Sequence, residues 1–470
     1  MPSRVLLISA NRCSVPEKVF PLALTYLQAA LRREGHVCRW LDLLEQPERL
    51  EEALRGFQPE VVAISVRNID DVVIRKRETF FDDLPGVCAA IRRLAGSRIV
   101  VGGSGFSIFP EPLLRLSGAD FGIAGEGEES LARLVRCLEQ GGGYEDIPGL
   151  VYRRGETIQV NPPENRPFAV AVGEEDRPAE VADAYLKSCG VLNVQTQRGC
   201  ACRCCYCTYP VIEGRAHRRR PPEQVAEEFA RIVARKARYA FIVDSVFNSS
   251  ARHVEEICEA ILRRGIKLSW GCFLRPQGLT PELMKLMARA GLSHVEFGSD
   301  SFCDEVLAAY GKGFSFEEVR RSTELAMAEQ VDCCHFLIAG GPGETEAPLQ
   351  RSFDNSASLG RSTILAVVGM RIYPGTALHQ RALAEGVVAP EDDLLAPRYY
   401  VAPGLDSDRV FERLRDQARR SPGWVAGDPV PAYTRLVERL RQRGVVGPLW
   451  SYFSVIQRLW PQAGGEAPQP

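Results

Sequence analysis

The sequence predicts an α/β protein: a Rossmann-like doubly wound parallel sheet, a partial (β/α)6 barrel and a small helical C-terminal region. Three observations predict it. Short apolar runs alternate with stretches of helical periodicity along most of the chain. The alternation breaks once, in the Pro- and Asn-rich segment NPPENRPFAV and the charged EEDRP that follows. Beyond the break, six strand–helix units fit within roughly 200 residues, which suits a partial barrel better than a second flat sheet.

The first region covers residues 1–143. Val5–Ile8 is strand-like, and residues 22–33 (LALTYLQAALRR) carry helical periodicity that closes at Gly35. Val37–Leu41, 61–66 (VVAISV), 99–101 (IVV) and 121–124 (FGIA) complete five strands. Ligands of such a sheet sit outside the carboxyl ends of its strands. Those ends are Ser9–Pro16, Arg67–Asp71, Gly102-Gly103-Ser104-Gly105 and Gly125-Glu126-Gly127-Glu128. The glycines either make tight turns or let backbone approach a bulky flat ligand. No G-x-G-x-x-G follows the first strand, which argues against a nicotinamide or flavin dinucleotide.

Residues 144–190 read as a hairpin around Arg154-Gly155-Glu156 and a linker. The second region, 191–400, has strands at 191–195, 240–243, 267–273, 294–298, 333–338 and 364–370. Helices intervene at 222–235, 251–264, 280–290, 315–329 and 345–359. Residues 401–460 read as helical, including 432–443 (AYTRLVERLRQR) and the aromatic-rich 449–460 (LWSYFSVIQRLW). Residues 461–470 read as a disordered tail.

Composition narrows the function. Lys+Arg is 58 against 60 Asp+Glu, a net charge of -2, so bulk nucleic-acid binding is not expected. No run of 18 apolar residues exists to span a membrane. The opening MPSRVLLISANRC reads as a first strand, not a signal peptide. The 15 cysteines do not follow the spacing of a small disulfide-stapled chain. A reduced, cytoplasmic protein with one local metal or redox site is expected.

That site is the segment Gln197-Arg198-Gly199-Cys200-Ala201-Cys202-Arg203-Cys204-Cys205-Tyr206-Cys207, on the loop after the first barrel strand. Cys200, Cys204 and Cys207 are spaced C-x3-C-x2-C, and three thiolates on one short loop can hold one face of a 4Fe-4S cluster. Cys202 and Cys205 form a competing C-x2-C pair, so register stays open. A zinc knot needs a second well-spaced pair, and the adjacent Cys333 and Cys334 in a strand are poor partners. A redox or structural thiol cluster is the third reading.

The C-x3-C-x2-C loop, with Tyr206 before its last cysteine, resembles the radical S-adenosylmethionine (SAM) superfamily. The resemblance implies a 4Fe-4S cluster on Cys200, Cys204 and Cys207, with SAM on the open iron. It also implies a 5′-deoxyadenosyl radical and an external one-electron reductant such as flavodoxin or ferredoxin. It places the SAM amino end near Asp244-Ser245-Val246-Phe247-Asn248, in place of the family's common Gly-Gly-Glu. Gly298-Ser299-Asp300-Ser301 resembles Gly-x-Glu-Ser near the ribose, with Asp300 one methylene shorter. Gly340-Gly341-Pro342-Gly343-Glu344-Thr345 resembles the family's Gly-x-Pro-Gly-Glu-Thr turn, and Arg371-Ile372-Tyr373-Pro374-Gly375-Thr376 is also family-like.

The first region resembles the cobalamin-binding domain that precedes one class of these enzymes. Gly102, Gly103, Ser104, Gly105, Gly125, Glu126 and Gly127 carry that likeness. None of the six histidines lies in an Asp-x-His-x-x-Gly motif. The implied cobalamin therefore has its dimethylbenzimidazole displaced and no protein His on cobalt. The implied activity is C-methylation of a small-molecule or lipid-like substrate by way of methylcobalamin and the adenosyl radical. The alternatives are a non-methylating enzyme of the same class (cyclisation, ring contraction, oxidative rearrangement) and a non-catalytic metal or cobalamin-binding regulator.

Several side chains have two readings each. Arg198 and Arg203 balance thiolate charge or meet a substrate anion, or are solvated loop charges. Arg215–Arg220 (RAHRRR) receives an anionic group, or is a solvated run. Tyr206 shields the cluster or stacks near adenine, or packs the loop. Arg275 pairs with the SAM carboxylate. His335 is a satisfied core histidine. Trp450, Tyr452, Phe453 and Trp460 close over an apolar substrate, or form a packed helix face. No side-chain catalytic nucleophile is required.

Overall fold

The computed structural model describes residues 2–14, 18–168, 172–426, 439–441 and 443–452. The first sheet has seven strands: β1 Arg4–Ser9, β2 Val37–Asp42, β3 Val61–Ser65, β4 Arg98–Gly102, β5 Phe121–Ile123, β6 Leu150–Arg154 and β7 Thr157–Val160. Their order is β2-β1-β3-β4-β5-β6-β7. Strands β1 to β5 run parallel, and β5, β6 and β7 pair antiparallel. Central β1 is covered on both faces, so Val5, Leu6, Leu7 and Ile8 are all fully buried and the strand reads as a continuous apolar run. Edge strand β2 alternates instead. Helices α1 Leu22–Arg33, α2 Leu50–Phe57 and α3 Leu84–Ala95 and the short helices Ser104–Ile108 and Pro110–Ser117 make the parallel crossovers, and α4 Glu128–Gln140 joins β5 to β6.

The hairpin expected at 144–160 forms, but not as part of a linker. Strand β6 pairs with β5 and extends the first sheet, because Leu150, Val151 and Tyr152 are buried against its edge. An otherwise open parallel edge is thereby covered.

The second sheet runs in chain order: β8 Val191–Val194, β9 Tyr239–Ile242, β10 Ser269–Leu274, β11 Leu292–Asp300, β12 Asp332–Ala339, β13 Thr363–Val368 and β14 Trp424–Ala426. All neighbours are parallel. Helices α5 Pro222–Ala234, α6 Ala251–Arg263, α7 Pro281–Arg289, α8 Phe316–Ala328 and α9 Glu346–Ser356 cross between them, and α10 Ser407–Arg420 precedes β14. Local chemistry sets several starts. Ser250 and Thr280 cap α6 and α7, and Ser315 makes a reciprocal capping box with Glu318 at α8.

Six of these strands match the expected ones. The seventh, β14, lies in the region expected to be wholly helical. Three residues show no periodicity. Burial places them, with Trp424 packed edge-on at 5.5 Å from Phe353.

Of the two readings of the C-terminal aromatics, Trp450 follows the packed one. Trp450 Nε1 donates to Glu296 Oε1 (2.8 Å), and the ring stands edge-on to His294 at 5.6 Å. Thr363 Oγ1 donates to the Trp450 carbonyl (3.1 Å). His294 and Thr363 lie at the amino ends of β11 and β13, so residues 449–452 close the base of the barrel, opposite the loops that carry chemistry. Trp450 does not cover a substrate there, and Tyr452 is exposed. Phe453, Trp460, most of 432–443 and all of 461–470 lie outside the described residues.

Candidate functional site

The loop from Gly199 to Thr208 leaves the short strand Gln197–Arg198, just beyond β8. Its backbone is anchored from three directions. Cys200 N–H donates to Gly214 O (3.0 Å), Cys205 N–H to Tyr310 O (2.9 Å), and Leu378 N–H to Cys205 O (2.8 Å). Gly199 has φ +87°, and a Cβ there would stand 2.0 Å from the Ala216 carbonyl oxygen. Gly199→Ala is therefore expected to displace the start of the loop. Iron retained after anaerobic reconstitution should fall below about a tenth of wild type, and unchanged iron would refute this geometry.

The thiols differ by environment. A hydrogen bond from Cys202 holds Cys200 down at about 7, against its burial. Burial pushes Cys207 and Cys205 up to about 11, and Cys204 upward as well. Arg275 Nη1 donates to Cys202 Sγ (3.0 Å). Among the described residues, no three His, Cys, Asp or Glu side chains converge on one ion position. A mononuclear zinc site needs four donors around a single point. Three thiols spread along one loop fit better a cluster whose irons each take one thiolate.

Most of the barrel residues singled out from sequence gather around this loop. The Tyr206 hydroxyl donates to Asp300 Oδ2, and Lys312 Nζ lies 2.5 Å from the same oxygen. Asp300 ends β11 with φ +65°. Asp244 is fully buried: Thr196 N–H (2.7 Å), the Thr196 hydroxyl and Gln197 N–H (3.3 Å) all donate to it. Burial lifts it to about 7 against those bonds. Asn248 clasps the backbone of Arg275 through N–H and C=O, both at 2.9 Å. Gly340 N–H donates to Glu344, which burial raises to about 7. Tyr310 ties that turn to the cysteine loop: its hydroxyl accepts Gly341 N–H (3.1 Å), while its carbonyl holds Cys205. A Cβ on Gly341 would stand 2.4 Å from the Tyr310 hydroxyl, and Gly343 has φ +77°.

Lys312 and Tyr310 were missed from sequence, since no motif contains them. The usable signal was Gly311, where a Cβ would meet the Arg203 carbonyl at 2.4 Å. His335 is a satisfied core histidine as expected: Ser299 Oγ lies 2.9 Å from Nδ1, Thr323 Oγ1 3.1 Å from Nε2, and Phe297 stacks on it.

Beside the loop lies a cavity of about 440 Å³, within the range of ligand pockets. It opens where the strand order reverses between β1 and β3. Ser9, Asn11, Arg67–Asp70, Gly102–Ser104 and Gly125–Glu128 line it from the first sheet. Thr208, Tyr209, Ile212 and Glu213 line it from the segment that follows Cys207. Gly103 has φ +98°, and a Cβ there would meet the Val66 carbonyl at 2.6 Å. Gly105 packs against Ile69 outside the cavity lining. Gly125 has φ +84° and donates its N–H to Ser107 Oγ (2.8 Å). No histidine is among the described lining residues. The turns of one sheet and the cysteine loop of the other thus face a common space, wide and free of imidazole. That fits a large flat group with no histidine on its metal.

Two expectations about charge are corrected. Arg198 neither flanks the thiols nor meets solvent. It is buried, with Glu126 at 3.1 Å and Glu128 at 2.6 Å, its guanidinium 4.0 Å from the Phe168 ring centre. Arg218 pairs with Glu126, and Arg220 with Glu228 at 2.5 Å. Of the run Arg215–Arg220, Arg218 and Arg220 are consumed by carboxylates inside the protein, while Arg215 and Arg219 stay exposed. Glu126 is correspondingly committed to arginine. A charge run read along the chain cannot show where its partners fold to. Arg203 is exposed.

Comparison with known proteins agrees with this architecture. The B12 binding domain family matches residues 8–135, and the Radical SAM superfamily matches residues 194–355. Tryptophan 2-C-methyltransferase of Streptomyces laurentii is 26% identical over 448 residues, covering 81% of this chain and 74% of that protein. The radical S-adenosylmethionine methyltransferase TsrM of Kitasatospora setae, solved with cobalamin and a 4Fe-4S cluster, shares the fold with a TM-score of 0.88. It is 23% identical and covers 98% of each chain. The cobalamin-dependent S-adenosylmethionine radical enzyme OxsB, with aqua-cobalamin bound, has a TM-score of 0.73 at 17% identity, covering 99% of this chain and 74% of that one. The fold and site define a B12-binding domain joined to a radical SAM domain. The fold as a whole is close to that of solved cobalamin-dependent radical SAM enzymes.

Proposed function

We propose that the chain is a methyltransferase that alkylates an unactivated carbon of a small molecule, using cobalamin, SAM and a 4Fe-4S cluster. The observation that carries this reading is the shared cavity, walled by cobalamin-type turns on one side and by Thr208, Tyr209 and Ile212 on the other. In this reading Cys200, Cys204 and Cys207 hold the cluster, and the turns after β1, β3, β4 and β5 hold the cobalamin. When bound, these groups supply methyl transfer from SAM by way of cobalt and one-electron cleavage of SAM.

The chain's own residues position and enclose. Asp244, Asn248 and Glu344 lock the loops around the cysteines through backbone bonds. Tyr206, Asp300 and Lys312 form a buried cluster beside them. Phe241, Phe273 and Phe336 form a chain of half-buried rings across the barrel strands, 5.1 and 6.4 Å apart. Such a wall suits a flat apolar substrate, and tryptophan, the substrate named for the relatives, is the first to test. An external one-electron donor and a reducing compartment belong to this reading. None of the 15 cysteines is in a disulfide, and no helix among the described residues is long and apolar enough to cross a membrane.

The test is product analysis with methyl-deuterated SAM on anaerobically reconstituted protein. S-adenosylhomocysteine formed together with 5′-deoxyadenosine and a deuteromethylated product is the expected result. S-adenosylhomocysteine and methylated product without 5′-deoxyadenosine would replace hydrogen abstraction by polar transfer to a nucleophilic carbon. 5′-Deoxyadenosine alone would overturn methylation in favour of a cyclising or rearranging enzyme.

A further inference from the structure

The segment after β3 crosses from the first sheet to the barrel. At its centre Asp70 is buried and does two things: Oδ1 accepts Val72 N–H (3.0 Å), and Oδ2 accepts Arg371 Nε–H (2.7 Å). Arg371 is also buried, and its remaining donors go to the Ile372 carbonyl (2.6 Å) and the Leu394 carbonyl (2.8 Å). Farther along, Arg75 pairs with Asp408 (2.5 Å) and covers the Phe411 ring at 3.7 Å. The crossing is therefore fastened to the barrel at two points.

Between those points the backbone is forced. Val72 has φ +55°, a conformation that β-branched residues strongly avoid. The residue is 46% exposed and lines the cavity. An exposed valine gains nothing from such a conformation in the protein alone. A strained backbone persists where its surroundings over-determine it, and such positions cluster at ligand sites. Here the surroundings are Asp70 and, through it, Arg371.

Resting on the cobalamin reading above, we propose that Val72 is an apolar binding residue for the cobalamin. Asp70 and Arg371 are the positioning residues that hold it in the cavity. The barrel thereby shapes a pocket wall that belongs to the other sheet. Phe109 and Tyr373 also pack around the Arg371 guanidinium, at 5.9 and 4.8 Å, which keeps water from the ion pair.

The two roles are separable because strain relief and lost contact have opposite signs. Full-length protein with its cluster, free of cobalamin, is titrated with hydroxocobalamin by absorbance, and its Tm is read before addition. Val72→Gly should raise Tm by about 1–2 °C, by relieving the backbone. It should weaken cobalamin binding about tenfold, by removing apolar contact. Asp70→Asn keeps an acceptor for Val72 N–H but turns an amide toward Arg371, so it should weaken binding while lowering Tm. In the double variant, Asp70→Asn should add little further loss of affinity. Val72→Gly with unchanged affinity, in a protein whose wild type binds hydroxocobalamin, overturns the inference. A wild type that binds none overturns the cobalamin reading itself.

Discussion

Alanine at Cys200, Cys204 or Cys207 will leave a protein that cannot retain iron after anaerobic reconstitution. Alanine at both Cys202 and Cys205 will leave the iron in place. The two other thiols are otherwise engaged. Cys202 takes the Arg275 guanidinium at 3.0 Å, and Cys205 packs among apolar residues with its backbone held by Tyr310 and Leu378. A buried free cysteine behaves as a small hydrophobe, so its replacement by alanine costs packing and not a ligand. Iron and sulfide counts with the 400 nm region of the spectrum decide the matter. Iron lost from the second variant and kept by the first would assign the ligands to the other register.

Arg198→Met will destabilise the protein by about 3–5 kcal/mol at neutral pH, because it leaves Glu128 buried without its paired cation, while Glu126 keeps Arg218. The pH dependence follows from Glu128. Burial alone would raise its carboxyl, but the Arg198 guanidinium more than reverses this and holds it below the usual range. A lowered carboxylate stabilises fully above its unfolded value of about 4.3 and loses that stabilisation as pH falls through the folded value. In wild type this pair's contribution is therefore lost only in strong acid, while His253, His294 and His335, held by burial at about 4, 4 and 3, cost wild type and variant alike stability as pH falls below about 6.5. In the variant the Arg198 attraction is gone and the Glu128 carboxyl rises, so the stability gap to wild type should narrow as pH falls from 7 to 5. Chemical denaturation of both proteins at the two pH values reads the gap. A gap that stays constant or widens as pH falls would refute the pairing.

The legible parts of this protein were those with a period or a fixed spacing. Strands β8 to β13 announced themselves because each apolar run is followed by a helix of thirteen residues or fewer, and the cysteine loop because five thiols fall within eight residues. Strand β14 and the pairing of β6 with β5 were illegible, since a three-residue strand has no period and pairing partners are not written locally. The same limit governs charge. Glu126 looked like part of a cofactor turn, yet its carboxylate meets arginines 72 and 92 positions away along the chain, at Arg198 and Arg218. Lys312 was hidden for that reason too. It matters only because Asp300 and Tyr206 converge on the same spot.

The closure of the barrel base by Trp450 has a consequence for biosynthesis. Thr363 and its partner Trp450 are 87 positions apart, and Glu296 is 154 positions from the same tryptophan. At about 5–20 residues per second, the strands through β13 wait roughly 4–17 s for the residue that seals them. Over that interval His294, Glu296 and the floor of the lumen face water, while the mouth that carries the cysteines already has its strands. The nascent barrel is thus a vessel whose rim is made before its floor, and its long-range contacts form last.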